Sequence, residues 1–190
     1  MKKVILLATI MLALQGCIFV VGAAAGGAAV SAVYDHRKLG QITQDNRLNN
    51  RIIDQVNTIP DLQDRAHISV TTFNSVVLLS GEALTPELSQ QVEAEAHKVD
   101  GITKIYNEIE IKGPSSSLTK ASDSWITAKI KTQMLATKGL ESGSIKVVTE
   151  NGTVYLMGMV NRDQAENTVD IARQVAGVQR VIKIFQYTDK

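Results

Sequence analysis

The 190-residue sequence holds one cysteine, one tryptophan, three phenylalanines and three histidines. A lone cysteine excludes an intrachain disulfide, so Cys17 serves packing, chemistry or attachment. His36, His67 and His97 are scattered and match no HExxH-type spacing, and without a second cysteine they leave little material for a metal site. No GxSxG elbow, P-loop or GxGxxG cradle is present. The acid pairs Asp61/Asp64 and Glu93/Glu95 lack a companion acid or ligand and read as solvated faces. Neither catalysis, a cofactor nor a bound metal is expected. The net charge of +1 gives no support for a general nucleic-acid binder.

What is present begins at the amino terminus. Lys2 and Lys3 form a basic start, Val4–Leu14 an apolar run of signal-peptide length, and no charge occurs between Val4 and Tyr34. The tetrad Leu14-Gln15-Gly16-Cys17 resembles a bacterial lipobox, although Gln15 stands where a small residue is more usual. The resemblance implies that residues 1–16 are removed, that Cys17 becomes the first mature residue, and that it carries acyl chains on its sulfur and its amino group. Ile18, rather than aspartate, after the cysteine implies delivery to the outer membrane. Each buried methylene contributes about 0.8 kcal/mol, so more than one chain anchors stably. The alternative is an uncleaved inner-membrane anchor. Residues 17–44 are expected to be the lipidated terminus and its tether. Ile18–Val33 is small and apolar; Gly22 and Gly26 have GxxxG spacing, which also suits close helix approach in a membrane.

Gly113-Pro114-Ser115-Ser116-Ser117 signals a linker, assigned to residues 113–120. It separates two copies of one pattern. Ile68–Ala83 lines up with Ile145–Val160, pairing Val70 with Val147, Asn74 with Asn151 and Gly81 with Gly158; Val99-Asp100-Gly101-Ile102 pairs with Val175-Ala176-Gly177-Val178. Upstream, Asp45, Leu48, Ile52 and Gln55 pair with Asp123, Ile126, Ile130 and Gln133. Asp45 and Asp123 read as N-caps of helices with one apolar stripe. Asn151-Gly152 between β-prone runs predicts a tight hairpin, and Ser75 in place of the glycine weakens that expectation in the first copy. Thr85-Pro86 and Asn161 read as caps of second helices. Gly101 and Gly177 suit helix stops before third strands. The expected order is αββαβ twice, an α+β fold, with domains at 45–112 and 121–190. A unit this small is marginal alone, and docking of the two would help.

These residues resemble the BON domain, whose pattern is a helix with spaced aliphatics, then V.V..(N/D)G.V.L.G.V, then an alanine-containing helix ending in V.GV..V. Ile145–Gly158 and Val175–Val181 carry it best. The resemblance implies two tandem BON domains, each αββαβ with a three-stranded mixed sheet packed against two helices. For lipid-anchored two-domain members it further implies binding of anionic phospholipid such as phosphatidylglycerol through the first helix of the second domain. It also implies support of envelope integrity and outer-membrane protein assembly, and enrichment at the division site.

Charge distribution agrees with that assignment. Residues 45–112 carry six basic and eleven acidic side chains, a net of −5, whereas residues 121–190 carry nine and seven, a net of +2. Cationic side chains near an anionic membrane contribute about 1 kcal/mol each. Projected as a helix from Asp123 to about Lys138, the sequence puts Ile126, Ile130, Gln133, Met134 and Thr137 toward a core. Trp125 and Leu135 fall outside that stripe, with Lys129, Lys131 and Lys138 around them, an interfacial composition. The first copy has Arg47 and Asn57 in the corresponding places. Composition alone leaves a lipid surface and a domain-docking surface equally open, and the resemblance favours lipid. A protein-binding scaffold or chaperone-like adaptor using the same face is the competing expectation.

Overall fold

Each copy of the pattern builds a sheet around its most apolar strand. The computed structural model describes residues 39–188; Cys17, the tether and its GxxxG spacing lie outside the described residues. The first repeat comprises α1 (Leu39–Val56), a one-turn α2 (Leu62–Arg65), β1 (Ala66–Phe73), β2 (Val76–Ala83), α3 (Pro86–His97), β3 (Lys104–Asn107) and β4 (Glu110–Ile111). The second comprises α4 (Ser117–Ala136), a 3-10 turn (Ser142–Ser144), β5 (Ile145–Glu150), β6 (Thr153–Val160), α5 (Arg162–Arg173) and β7 (Arg180–Tyr187). Apart from the turn α2, the order is αββαβ twice, an α+β fold.

The central strands β2 and β6 pair antiparallel with β1 and β5, and parallel with the strand that follows the second helix. A parallel neighbour needs a crossover connection, which α3 and α5 supply. Thr85 accepts a hydrogen bond from Leu88 N at 3.3 Å and Asn161 from Gln164 N at 2.8 Å, so both second helices are capped as the sequence indicates. The last strand of the first repeat is split where one continuous strand was expected. Asn107 turns its side chain back to accept from Ile109 N at 3.3 Å and to donate to Glu93 at 2.9 Å. Ile109 then enters the core beneath α1 and α3.

The first helices depart from the sequence reading in an instructive way. Asp45 and Asp123 are not N-caps: α1 is already helical at Leu39, and α4 begins at Ser117 behind the cap Ser116, which accepts from Thr119 N at 3.1 Å. Both aspartates sit inside their helices, buried, and clasp the hairpin turn of their own repeat. Asp123 accepts from Asn151 N at 2.8 Å and Gly152 N at 2.9 Å; Asp45 accepts from Asn74 N at 2.7 Å and Ser75 N at 3.0 Å. The turn amides would otherwise be unpaired, and carboxylate oxygens satisfy them with charge-assisted bonds. The clasp also explains the first turn: Ser75 adopts φ +62°, close to the +72° of Gly152, and so forms the same hairpin despite its Cβ.

Strand residues alternate between two cores. Val77 and Leu79 of β2 face α1 and α3, while Val154 and Leu156 of β6 face α4 and α5. The intervening residues, Val76 and Leu78 with Phe73 from the first repeat, and Tyr155 and Met157 with Ile184 from the second, form a third buried cluster between the sheets. This is why β2 is buried along its whole length and β6 at all but Met159, as expected of strands covered on both faces. Burying side chains of this size is worth about 1.5–3 kcal/mol each, so the two sheets hold each other.

Candidate functional site

α4 carries the site residues read from the sequence, and the packing above decides which way they point. Asp123, Ile126, Ile130 and Met134 recur at helical spacing and are buried toward β5 and α5. Thr127 donates to Thr149 of β5 at 2.7 Å, fixing the helix at one margin of its buried stripe. With that stripe turned inward, Trp125 is 54% exposed and Leu135 58%. Lys129 and Lys131 are also exposed on the helix, while Lys138 is exposed just beyond its last residue, Ala136. Among the described residues these three lysines make no ion pair.

Trp125 and Lys129 are one turn apart and share a flank, as do Lys131 and Leu135. The only acidic side chain on α4 is Asp123, which is buried in the turn clasp. The outward surface of the helix therefore offers apolar groups and positive charge, and no carboxylate to repel an anion. Lys138 lies past the helix end and is the least tied to this face.

One participant was missed. Leu118, 80% exposed, is the most exposed large apolar side chain among the described residues. It stands two turns before Trp125, about 20° away around the axis. Placing the helix start at Asp123 left it in the linker. The signal available was Ser116, a good cap two residues ahead of it.

Beside the first half of α4, the repeats meet in a polar junction. Glu82 of β2, 1% exposed, accepts from Asn151 Nδ2 at 2.6 Å and from the Ser115 hydroxyl of the linker. Burial pushes the Glu82 carboxyl up, but the bonds from Ser115 and Asn151 and the nearby His67 and Lys112 outweigh it, holding it below the usual range. Glu150 shifts the other way: burial raises it, helped by the charges of Glu82 and Asp123 and opposed by a bond to Ser69 and by His67. Lys120 of α4 lies 3.3 Å from His67 Nε2. An open cleft of about 880 Å³ lies alongside, bordered by Glu110, Lys112, Leu118, Asp123 and Arg180. Lys112 and Arg180 both pair with Glu110, at 2.8 and 3.7 Å, and with Asp123 counted the two cations and two carboxylates that line the cleft sum to zero, leaving no net charge for an anion. The helix face is the better-built surface.

No described helix is long and apolar enough to cross a membrane. Comparison with known proteins adds the family. The BON domain matches twice, over residues 44–113 and 122–189. The chain is 32% identical over 191 residues to the outer membrane lipoprotein DolP of Haemophilus influenzae, covering 100% of this chain and 97% of that protein. It is 37% identical over 154 residues to a 21 kDa hemolysin of Actinobacillus pleuropneumoniae, covering 80% of this chain and 79% of that one. It is 32% identical over 117 residues to the osmotically-inducible protein Y of Escherichia coli, covering 60% and 58%. The chain belongs to the BON-domain family, as a two-domain member related along its whole length to the outer membrane lipoprotein DolP.

Proposed function

We propose that this protein is a lipoprotein of the outer membrane, held by acyl chains on Cys17, which reads anionic phospholipid through the outward face of α4 and so supports the integrity of the envelope, with enrichment at the division site. The whole-length relationship to an outer membrane lipoprotein and the LQGC tetrad support the anchor and the location. The single observation that carries the lipid reading is the exposed Trp125 and Leu135 on a helix whose accessible charges are all positive. An indole and an aliphatic side chain enter the headgroup boundary while ammonium groups meet phosphate.

The test uses residues 17–190 with Cys17→Ser, so that acyl chains contribute nothing. Trp125→Glu or Leu135→Glu abolishes binding to phosphatidylglycerol micelles, read as loss of backbone chemical-shift perturbation on α4, while the unbound spectrum stays folded. Perturbations that persist unchanged in both variants overturn the lipid reading. The competing function is a protein-binding scaffold, acting on outer-membrane assembly proteins through the same exposed Trp125. Vesicle sedimentation that is indifferent to anionic lipid, together with recovery of an envelope protein on Trp125, would favour it.

A further inference from the structure

The buried and exposed residues of α4 alternate in a way that specifies how the helix meets a surface. Going round the axis from Leu135 to Leu118 covers an arc of about 100°. Within it, Leu118, Ala121, Trp125, Ala128, Thr132 and Leu135 are all exposed and none carries charge. Lys129 borders the arc on one side, and Lys131 and Lys120 on the other. The arc lies opposite Asp123, Ile126, Ile130 and Met134, so α4 is apolar on two faces: one filled by its own domain and one left open.

The large members of the open face are spread along the axis rather than gathered at one end. Leu118 is in the first turn, Trp125 lies before the middle and Leu135 is the penultimate residue, a span of about 25 Å. A helix meant to dip one end into a bilayer would concentrate its bulk there. Here a plane parallel to the axis and facing the middle of the arc has Trp125 near its centre and Leu118 and Leu135 at opposite edges and opposite ends of the helix, with lysines flanking it.

Resting on the lipid reading above, we infer that α4 seats on an anionic bilayer with its axis parallel to the surface, and that Leu118, beside the linker, is an insertion anchor equal in kind to Trp125 and Leu135. The occupant is the interfacial layer of a phosphatidylglycerol-rich membrane. The small side chains Ala121 and Ala128 let the backbone approach the headgroups between the anchors, while the flanking lysines stay at phosphate depth. The seat brings the linker, and with it the edge of the first domain, to the membrane.

The experiment uses residues 17–190 with Cys17→Ser and a single introduced cysteine bearing an environment-sensitive fluorophore. Leu118→Cys and Leu135→Cys report the two ends, Asp170→Cys on α5 reports solvent, and Trp125, the only tryptophan, reports itself in the otherwise unlabelled protein. Added vesicles of equal parts phosphatidylglycerol and phosphatidylcholine shift the emission at 118, 125 and 135 to the blue and leave 170 unchanged. In parallel, Leu118→Glu weakens vesicle binding roughly tenfold, about 1.4 kcal/mol. Blue shifts at 125 and 135 with 118 behaving like 170, or at 118 and 125 without 135, overturn the parallel seat and leave lipid recognition standing. No shift at any of the three removes both.

Discussion

Replacing Asp123 with asparagine separates two roles that the sequence cannot tell apart. As a helix N-cap, asparagine is about as good as aspartate, and the change would be near neutral. In the clasp the two oxygens receive Asn151 N at 2.8 Å and Gly152 N at 2.9 Å in a site only 7% exposed. Asparagine keeps one acceptor and turns an NH2 group toward the second amide, which loses its partner. A hydrogen bond to a charged group contributes about 1.5–3 kcal/mol, and a buried donor left unpaired costs about 1–3 kcal/mol. We expect Asp123→Asn to destabilise the fold by roughly 2–4 kcal/mol. With a slope of about 1–3 kcal/mol per molar urea, the unfolding midpoint falls by roughly 1–2 M. Residues 17–190 with Cys17→Ser, unfolded in urea and followed by far-UV circular dichroism, give the number. A midpoint change below about 0.3 M would refute the clasp. Asp45→Asn, which faces Asn74 N and Ser75 N in the same way, should move in the same direction.

Ser75→Gly relieves a left-handed backbone at φ +62°, and should raise stability by about 0.5–1 kcal/mol in the same urea assay, whereas a loss would mean that the serine side chain contributes to the turn. Glu150 has its carboxyl raised in the fold, so its protonated form is favoured there. The resulting stabilisation is fully present below the ordinary glutamate value and is lost as pH rises through the folded one. Glu150→Gln should therefore raise the urea midpoint at pH 7 and lose that advantage near pH 4; an advantage that grows with acidity would contradict the assignment. Lys129→Gln with Lys131→Gln should weaken binding to phosphatidylglycerol vesicles at low salt and flatten its dependence on ionic strength. An unchanged salt dependence would exclude those two lysines from the contact.

Much of this architecture could be read from local chemistry. The Asn151-Gly152 pair announces a hairpin because both of its central residues take positive φ, and the Thr85 and Asn161 caps announce helices because their oxygens reach the first free amides. The four-residue spacing of Ile126, Ile130 and Met134 identifies the inward side of α4, which leaves Trp125 outside. What was missed traces to groups whose partners are distant in sequence. Asp123 looks like a cap until the turn 28 residues away closes on it, and misreading it hid the two turns that contain Leu118.

Sequence by itself determined the repeated αββαβ order and the positive, tryptophan-bearing helix of the second copy, because periodicity and turn chemistry act over a few residues. Only the tertiary structure decided that Leu78 and Tyr155 meet between two sheets and that Glu82 and Asn151 bond across the repeats. It also decided that α4 keeps its second apolar face open. A strand written as continuously apolar states that both its faces are covered; what covers the second face depends on how the two repeats come together in space.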